Sequence, residues 1–425
     1  MATRRDGLSA RREALGHTQE TLAQKLDVEF STVGRWERGT LTPQPWRRRA
    51  LADALQVSLD QLNTLLNPTV APSTSGELAT SRRTVVADAA LLTGAVVAER
   101  WIDYNAWQLG VDATGTVQFP VSHGTPQDRT EHVRTTATLI DDLHRRYQAT
   151  RYGDVARTLP ALTDTVGALV ADGTSDQRRE ASALQCSMEI VAAKLATKVG
   201  DGPAAHAAAE RARLAAEAAD DVFGQVAAAY ELTLSLLRLG RSEEAEQTAV
   251  IVAATIHGSD PQSLTWRGNL TLISSIIAAR RDDATEARRR LDHAEHLATR
   301  LGGDANIGFT AFGPTNVQIH RMSAAVALDD PYGVLAIGEH LDVTAMPVGL
   351  NGRCARLHLD SAWAHIHLDD DPLALIHLLE TERIAPELVR TYPTARALIE
   401  DLLARKRRRM IPALRGLAHR AGVWV

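Results

Sequence analysis

Residues 18–39, TQETLAQKLDVEFSTVGRWERG, contain two short helical patterns separated by a break of a few residues. Thr18 is placed to cap the first helix, and an apolar stripe follows it. The stripe consists of Leu22, Ala23 and Leu26. In the second pattern Val33 and Trp36 share the face that turns back onto the first helix, and Gly39 ends the run. The stretch predicts two helices joined by a tight turn, with Trp36 in the core.

This arrangement resembles the helix-turn-helix domains of phage repressors, the XRE family, over residues 7–66. The resemblance implies a five-helix DNA-binding domain. In that family a Gln at the start of the first helix contacts a phosphate, a small Ala lies where the helices cross, and the next helix meets base edges with its first turn. Here the Gln is Gln19 and the Ala is Ala23. The DNA contacts that the resemblance implies are Gln19, Glu29, Phe30, Ser31, Thr32, Arg35, Arg38, Arg47 and Arg48.

The chemistry of the second helix suggests how bases could be read. Arg35 suits bidentate contact with guanine, Glu29 can accept from a cytosine amino group, and Phe30 can lie on a thymine methyl. Glu and Phe depart from the Gln, Ser or Thr that the family often carries there, so the preferred DNA sequence stays open.

Further basic residues flank this segment. Residues 47–49, three consecutive arginines, stand at the start of a fourth helix that Pro45 begins, where they can hold phosphate or form a solvated basic turn. Arg4 and Arg5 suggest either an arm on DNA or a frayed terminus.

The remaining helices of this segment follow from apolar spacing. Leu8 and Leu15 indicate a first helix, and Leu51 and Leu55 face inward from the fourth. Ser58 caps a fifth helix. The inward residues of that helix are Leu59, Leu62 and Leu65.

Composition indicates a helical protein of more than one unit. The chain has 425 residues, more than a single core usually supports, and it is rich in Ala and Leu. Residues 1–66 carry ten Lys or Arg and eight Asp or Glu, about +2, which leaves about −7 for the remainder. Cys186 and Cys354 match no metal or redox spacing, so we expect reduced thiols in a cytoplasmic protein.

The domain organisation follows from changes in composition along the chain. Residues 67–84, rich in Pro, Ser, Thr and Gly, predict a linker, and residues 85–129 predict a connecting helix and loop. Arg82 and Arg83 precede an apolar run, but the run contains Asp88 and is too short to cross a bilayer, so we expect neither an export signal nor a membrane partner.

From residue 130 to residue 425 the pattern becomes repetitive. Asp- and Gly-rich turns are followed by an Ala, and these alanines recur at intervals of 38 to 49 residues. They are Ala156, Ala205, Ala245, Ala287, Ala336 and Ala374. The pattern resembles degenerate tetratricopeptide repeats, in which small residues let paired helices approach closely. The sequence therefore predicts an all-α protein, a helix-turn-helix domain followed by an α-solenoid of helix pairs.

Such a solenoid presents a concave surface lined by the first helix of each pair. Polar residues on those helices are candidates for binding a peptide or a small molecule, because Asn can hold a peptide backbone and Arg can take a carboxylate. The candidates are Gln185, Gln225, Tyr230, Arg267, Asn269, Asn316 and Arg321. The alternative is that they hydrogen-bond between repeats and cap helices.

The two parts together resemble peptide-responsive quorum-sensing regulators and the repeat-bearing XRE regulators of antibiotic-producing bacteria. The segment from Phe312 to Val317, FGPTNV, and residues 392–422 strengthen the second likeness. The resemblance implies a dimeric regulator that binds an inverted repeat of double-stranded DNA and responds to a peptide, small-molecule or protein effector. The alternative is an interaction scaffold or antitoxin-like protein whose DNA binding serves autoregulation.

An enzymatic function has little support in the sequence. The chain has only four lysines, and none stands in a phosphate-binding GxxxxGK[ST] loop. Several histidines cluster between residues 358 and 377, but spacing supplies no matching carboxylate ligands, and solvated or capping roles are favoured over a metal site. We expect no cofactor and no metal.

Overall fold

The computed structural model describes residues 5–26, 28, 30–39, 41, 43, 45–66, 126–405 and 412–423. Within these ranges the chain is helical and contains no strand, as the sequence predicts. The chain divides into two compact units, one containing the first five helices and the other containing the helices that follow residue 126. The expected linker, 67–84, and most of the expected connecting segment lie outside the described residues.

The first unit is a five-helix domain around one core. Its helices are α1 (Asp6–Ala14), α2 (Gln19–Lys25), α3 (Phe30–Glu37), α4 (Pro45–Ala54) and α5 (Leu59–Leu66). Trp36 is only 2% exposed and packs with Val33, Ala23 and Leu22 from the helix pair. The prediction that Trp36 is a core residue is confirmed. Leu51, Leu55 and Leu62 are fully buried, as their spacing predicts.

Two helix starts are fixed by reciprocal side-chain caps. The Thr18 hydroxyl accepts the Thr21 N–H, while the Thr18 N–H donates to the Thr21 hydroxyl at 2.8 Å. Ser58 and Gln61 form the same exchange at the start of α5. Both caps were expected, and they set the chain direction at the entry to each helix.

A buried ion pair ties the first three helices together. Arg12 of α1 donates through Nε to Glu37 Oε1 at 2.6 Å, and both side chains are 8% exposed. Gln19, the first residue of α2, donates through Nε2 to the other Glu37 oxygen at 2.6 Å. The pair raises the pKa of Arg12, chiefly through its hydrogen bond with Glu37. One carboxylate therefore links α1, α2 and the end of α3.

Arg5 corrects the expectation for the N-terminal arginines. Its side chain is 7% exposed, and it donates to the carbonyl oxygens of Leu66, Trp36 and Leu41 at 2.7, 3.1 and 2.6 Å. Arg5 therefore closes the domain by capping backbone carbonyls and is neither a frayed residue nor an arm for DNA. Arg4 lies outside the described residues.

In the second unit the helices form a continuous stack. They are α6 (Pro126–Gln148), α7 (Tyr152–Ala171), α8 (Ser175–Val199), α9 (Gly202–Ala219), α10 (Val222–Arg238), α11 (Ser242–Thr255), α12 (Pro261–Arg280), α13 (Ala284–Leu301), α14 (Pro314–Ala327), α15 (Pro331–Gly338), α16 (Asn351–His367), α17 (Asp371–Ile384), α18 (Pro386–Thr391), α19 (Pro393–Arg405) and α20 (Pro412–Arg420). The first begins four residues before the expected residue 130.

The turn from each even-numbered helix of α6–α16 to the next helix has one recurring geometry. A residue in the left-handed region ends the first helix and is followed at once by the N-cap of the second. The left-handed residues are Thr150, Gly200, Gly240, Asp282, Asp329 and Asp369. Each N-cap N–H donates to a carbonyl five residues earlier, for example from Asp370 to His365 at 2.9 Å. This explains the Asp- and Gly-rich turns of the sequence, because Gly and Asp tolerate that backbone conformation best.

Four residues after each N-cap a small side chain is completely buried. These residues are Val155, Ala205, Ala245, Ala287, Val334 and Ala374, each at most 1% exposed. The small size lets the paired helices pack closely, as the repeat pattern predicts. Ala336, which the repeat pattern places in this set, is instead exposed. The buried position four residues after the N-cap Asp330 is occupied by Val334.

Contacts between helices that are separated by one intervening helix in the chain identify the helices that line the inner surface of the stack. The pairs α6 with α8, α8 with α10 and α14 with α16 are in contact across the stack. The stack also curves back on itself, since α16 packs against α6 and α18 packs against α7. Gln148 and Asn306 exchange two side-chain hydrogen bonds of 2.8 Å across this junction. The predicted solenoid is therefore present, and the even-numbered helices of α6–α16 line its inner surface.

Replacing Arg12 by Met in the full-length protein is expected to destabilise the first unit by about 3–5 kcal/mol, because the buried Glu37 carboxylate loses its charged partner. Hydrogen exchange of α1, α2 and α3 measures the loss. Glu13→Gln is the matched control, since Glu13 also contacts Arg12 but is 68% exposed, and its effect is expected at about 0–1 kcal/mol. Equal effects of the two substitutions would contradict the role of the buried pair.

A pair of Gly→Ala substitutions tests the packing of the second unit. Gly268→Ala in α12 is expected to lower the free energy of unfolding by about 1–3 kcal/mol, and with it the unfolding temperature. The added Cβ would overlap the fully buried Phe312 ring. At Gly167, an exposed position within α7, a Cβ meets nothing within 4 Å. Gly167→Ala is expected to stabilise by about 0.5–1 kcal/mol. Thermal unfolding followed by circular dichroism measures both, and a stabilising Gly268→Ala would show that the close contact is absent.

Candidate functional site

Helix α3 and the start of α2 carry most of the residues expected to contact DNA. Phe30 and Ser31 begin α3, Thr32 follows in its first turn, and Arg35 lies one turn later. Arg38 comes directly after the helix and is exposed. Glu29 lies outside the described residues. The structure thus places the described members of this group along one short helix and its end.

Gln19 is held at the crossing of the two helices. Its Nε2 donates to Glu37, and its Oε1 lies close to Gly34, where an added Cβ would be 3.2 Å from that oxygen. The absence of a side chain at Gly34 lets α2 and α3 approach closely here. A side chain fixed in this way holds the start of α2 in a defined position relative to α3.

Arg47 and Arg48 lie on α4 and are half-buried. The Nε of Arg48 donates to the Pro43 carbonyl at 3.1 Å, which anchors the guanidinium beside the turn that precedes the helix. Arg38 is the more exposed of these cations. Arg38 therefore has the greater freedom to meet a phosphate, while Arg48 is oriented by the backbone.

The expected ligand-binding residues all lie on inner helices of the second unit. Arg267 and Arg321 make contacts of the kind expected if these residues cap helices or join repeats, whereas Asn269 bonds within its own helix. Arg267 donates to the Ile256 carbonyl at 3.1 Å, and Asn269 donates to the Thr265 carbonyl at 3.0 Å. Arg321 contacts Asp292 at 2.8 Å and Glu295 at 2.9 Å on α13.

The other four candidates have different surroundings. Gln185 on α8 and Gln225 on α10 are half-buried. Tyr230 packs edge-on against Trp266, with ring centroids 6.3 Å apart, and is near enough to Arg353 to feel its charge. Asn316 is fully buried, yet neither its Nδ2 nor its Oδ1 has a hydrogen-bond partner among the described residues.

Charged residues that were not among the sequence-based candidates lie near Tyr230. Lys194 and Lys198 extend from α8, Glu231 from α10, and Arg353 and Arg356 from α16, and their charges influence one another. Burial, partly offset by the attraction of Glu231, lowers the pKa of Lys194. Burial likewise raises the pKa of Glu231. A sequence signal exists, because Lys194 and Lys198 are two of only four lysines in a chain dominated by Arg.

The histidines of α16 and α17 approach one another. His358 and His377 bring their Nδ1 atoms to 3.0 Å, and the His365 ring lies 5.3 Å from that of His377. Burial, followed by the neighbouring histidines, lowers the pKa of His377 to about 4. Throughout the part of the chain that the structure describes, no three His, Cys, Asp or Glu residues are arranged to hold a metal ion.

Comparison with known families identifies the first unit. Residues 8–62, from α1 into α5, match the family model described as Helix-turn-helix. No curated protein and no solved structure matches the chain significantly. The N-terminal unit is therefore an XRE-type helix-turn-helix domain, the kind of domain that DNA-binding regulators use. Among the described helices, none combines the length and the apolar character required to span a bilayer.

Proposed function

We propose that the protein is a dimeric, sequence-specific DNA-binding transcriptional regulator that acts in the cytoplasm and is controlled by an effector bound to its helical repeats. The observation that carries the proposal is the match of residues 8–62 to the helix-turn-helix family, together with a five-helix domain built around Trp36. In such domains the second helix of the motif, here α3, enters the major groove.

The division of labour on DNA follows from the chemistry of each side chain. Arg35 contacts a guanine edge through two parallel hydrogen bonds, while Glu29 and Phe30 select neighbouring bases. Arg38 and the arginines of α4 hold phosphates and set the position of α3 in the groove. A two-fold symmetric dimer would meet two half-sites about 34 Å apart, one helical turn, and would therefore select an inverted repeat.

Control by an effector requires the second unit to exist in two arrangements with different affinity for that effector. The similarity to tetratricopeptide repeats and to repeat-bearing regulators supports this step. Alternate helices of this unit line a continuous inner surface with polar and charged residues, which suits it to bind a ligand. In the proposed dimer, a change in the curvature of the repeats would alter the spacing of the two DNA-binding domains.

Affinity selection of sheared genomic DNA by the full-length protein, followed by sequencing, tests the proposal. We expect an enriched inverted repeat. Arg35→Ala is expected to lose discrimination at one base position, by about 1–3 kcal/mol, because the guanine contact is removed. Arg38→Ala is the matched control and is expected to weaken binding to all sequences similarly, with a salt slope reduced by about 1.

Two results would contradict this assignment. Equal losses of affinity for the selected repeat and for random DNA in Arg35→Ala would make Arg35 a phosphate contact and not a reader of bases. A wild-type protein that enriches no DNA but copurifies with another protein bound to its repeats would favour the interaction scaffold instead.

A further inference from the structure

The inner surface of the repeat unit concentrates charge where the curved stack meets its own beginning. Lys194 and Lys198 are one turn apart on α8, so they share a face. Arg353 from α16 is close enough to influence both of them, and Glu231 from α10 lies beside Lys194. Helices that are distant in sequence therefore bring four charged side chains together.

These side chains line an enclosed surface that water still reaches. Lys194, Lys198 and Arg353 are half-buried and keep part of their surface accessible to water. Desolvation nevertheless dominates at the two lysines, since burial lowers the pKa of Lys194 and lowers that of Lys198 to about 8. Both observations hold together if the side chains project into a concavity surrounded by protein. A flat surface would leave the ammonium groups hydrated.

The positive charge of this surface is only partly neutralised. Arg356 pairs with Asp360 at 2.9 Å, and the Glu231 carboxylate stands beside Lys194. The Lys198 ammonium lies over the Tyr392 ring, 4.7 Å from its centroid, and neither Lys198 nor Arg353 has a carboxylate partner among the described residues. Burial alone would raise the pKa of Tyr392, but Arg356, Arg238 and Lys198 together outweigh burial and lower it to about 7. The lowered pKa of this phenol indicates that the surrounding electrostatic potential is positive and favours a bound negative charge.

Hydrogen-bonding capacity is also left unused on the inner helices that carry or adjoin these charges. On α14, Asn316 has two unpartnered side-chain atoms and lies one turn before His320, which Arg353 influences, and on α10 Glu231 Oε2 has no partner within the described ranges. Both residues are almost completely inaccessible, at 0% and 1% exposed. His320, one turn after Asn316, adds no charge, because burial and then Arg353 lower its pKa to about 3. Buried polar groups are normally satisfied, so these atoms point to a ligand.

A loop with an unfavourable backbone borders the same surface. Phe309 and Ala311 both have φ values near the left-handed region, at 56° and 57°, although neither is glycine. The Phe309 ring stacks on His144 with centroids 4.2 Å apart, and its carbonyl lies 3.5 Å from Lys194 Nζ. Such conformations persist where surrounding structure enforces them, and they concentrate at ligand sites.

We propose that this inner surface binds a small organic anion with a carboxylate or phosphate group, held by Lys198 and Arg353, while Asn316 hydrogen-bonds to the neutral part of the molecule. The binding site stands by itself; only the statement that this anion is the effector rests on the proposed function. The closure of the stack by Gln148 and Asn306, and by Glu387 accepting the Gly153 N–H at 2.7 Å, favours a small molecule over a long peptide.

Calorimetric titration of the full-length protein tests the site with malonate, inorganic phosphate and malonamide at constant ionic strength. We expect malonate or phosphate to bind and malonamide, the uncharged analogue of malonate, to bind at least about tenfold more weakly, as expected for charge-assisted hydrogen bonds. Equal binding of malonate and malonamide, or no binding of either anion, would overturn the proposal.

Arg353→Gln is expected to weaken anion binding at least about tenfold, because a charged donor is removed. Arg288→Gln is the matched control, since Arg288 is an exposed residue of the outer helix α13, and its affinity for the anion is expected to match the wild type. A similar loss in both variants would show that the anion responds to overall charge and would overturn the site.

Lys198→Met distinguishes a binding role from a structural one. Without anion the variant is expected to unfold at the same or a higher temperature than the wild type, because a desolvated charge among other cations is removed while the aliphatic stem is kept. Its gain in unfolding temperature with malonate is expected to disappear. A less stable variant that keeps the full malonate response would overturn the assignment.

The same titrations separate this site from the proposed function. DNA selection run both with and without malonate tests the regulator, and anion binding without DNA tests the site. Enriched DNA with no anion binding would overturn the site alone, while anion binding with no DNA enriched under either condition would support the site and overturn the regulator.

Discussion

One backbone constraint organises the second unit, namely the turn in which a left-handed residue is followed directly by an N-cap. The N-cap N–H returns to a carbonyl five residues earlier, so the end of one helix and the start of the next are fixed in a single step. Because the fourth residue after the cap is small and buried, each pair closes tightly. Repetition of this geometry directs alternate helices inward and brings Lys194 of α8 and Arg353 of α16, distant in sequence, near enough to influence each other.

The two units treat buried charge differently. In the first, Arg12 and Glu37 neutralise each other, and Gln19 takes the second carboxylate oxygen, so the network is satisfied and holds α3 in place. In the second, Lys198 contacts the face of the Tyr392 ring at 4.7 Å in place of a carboxylate, and the Asn316 amide has no hydrogen-bond partner among the described residues. A satisfied network keeps the DNA-binding helix rigid. Buried groups without partners lower the stability of the second unit, and a ligand that binds them would raise it.

Much of the fold was predictable because it depends on local patterns. Apolar spacing placed Trp36 in the core, and the Ser58 cap followed from residue type. The prediction for Ala336 was wrong because counting alanines ignores their register relative to the N-cap. The prediction for Arg5 was wrong because the carbonyl groups that accept its hydrogen bonds are distant in sequence. The roles proposed for Arg35 in DNA reading stay predictions. The charged inner surface could not be predicted from spacing, because curvature brings its residues together, although two of only four lysines stand there.

If the anion is the effector, its binding to the repeats changes the affinity of the protein for DNA. The most direct measurement is the affinity of the full-length protein for its selected duplex with and without saturating malonate, together with the affinity for malonate with and without duplex. Linkage requires the same factor in both directions, and we expect a factor of about 5–150. Affinities that stay unchanged in both directions would contradict it.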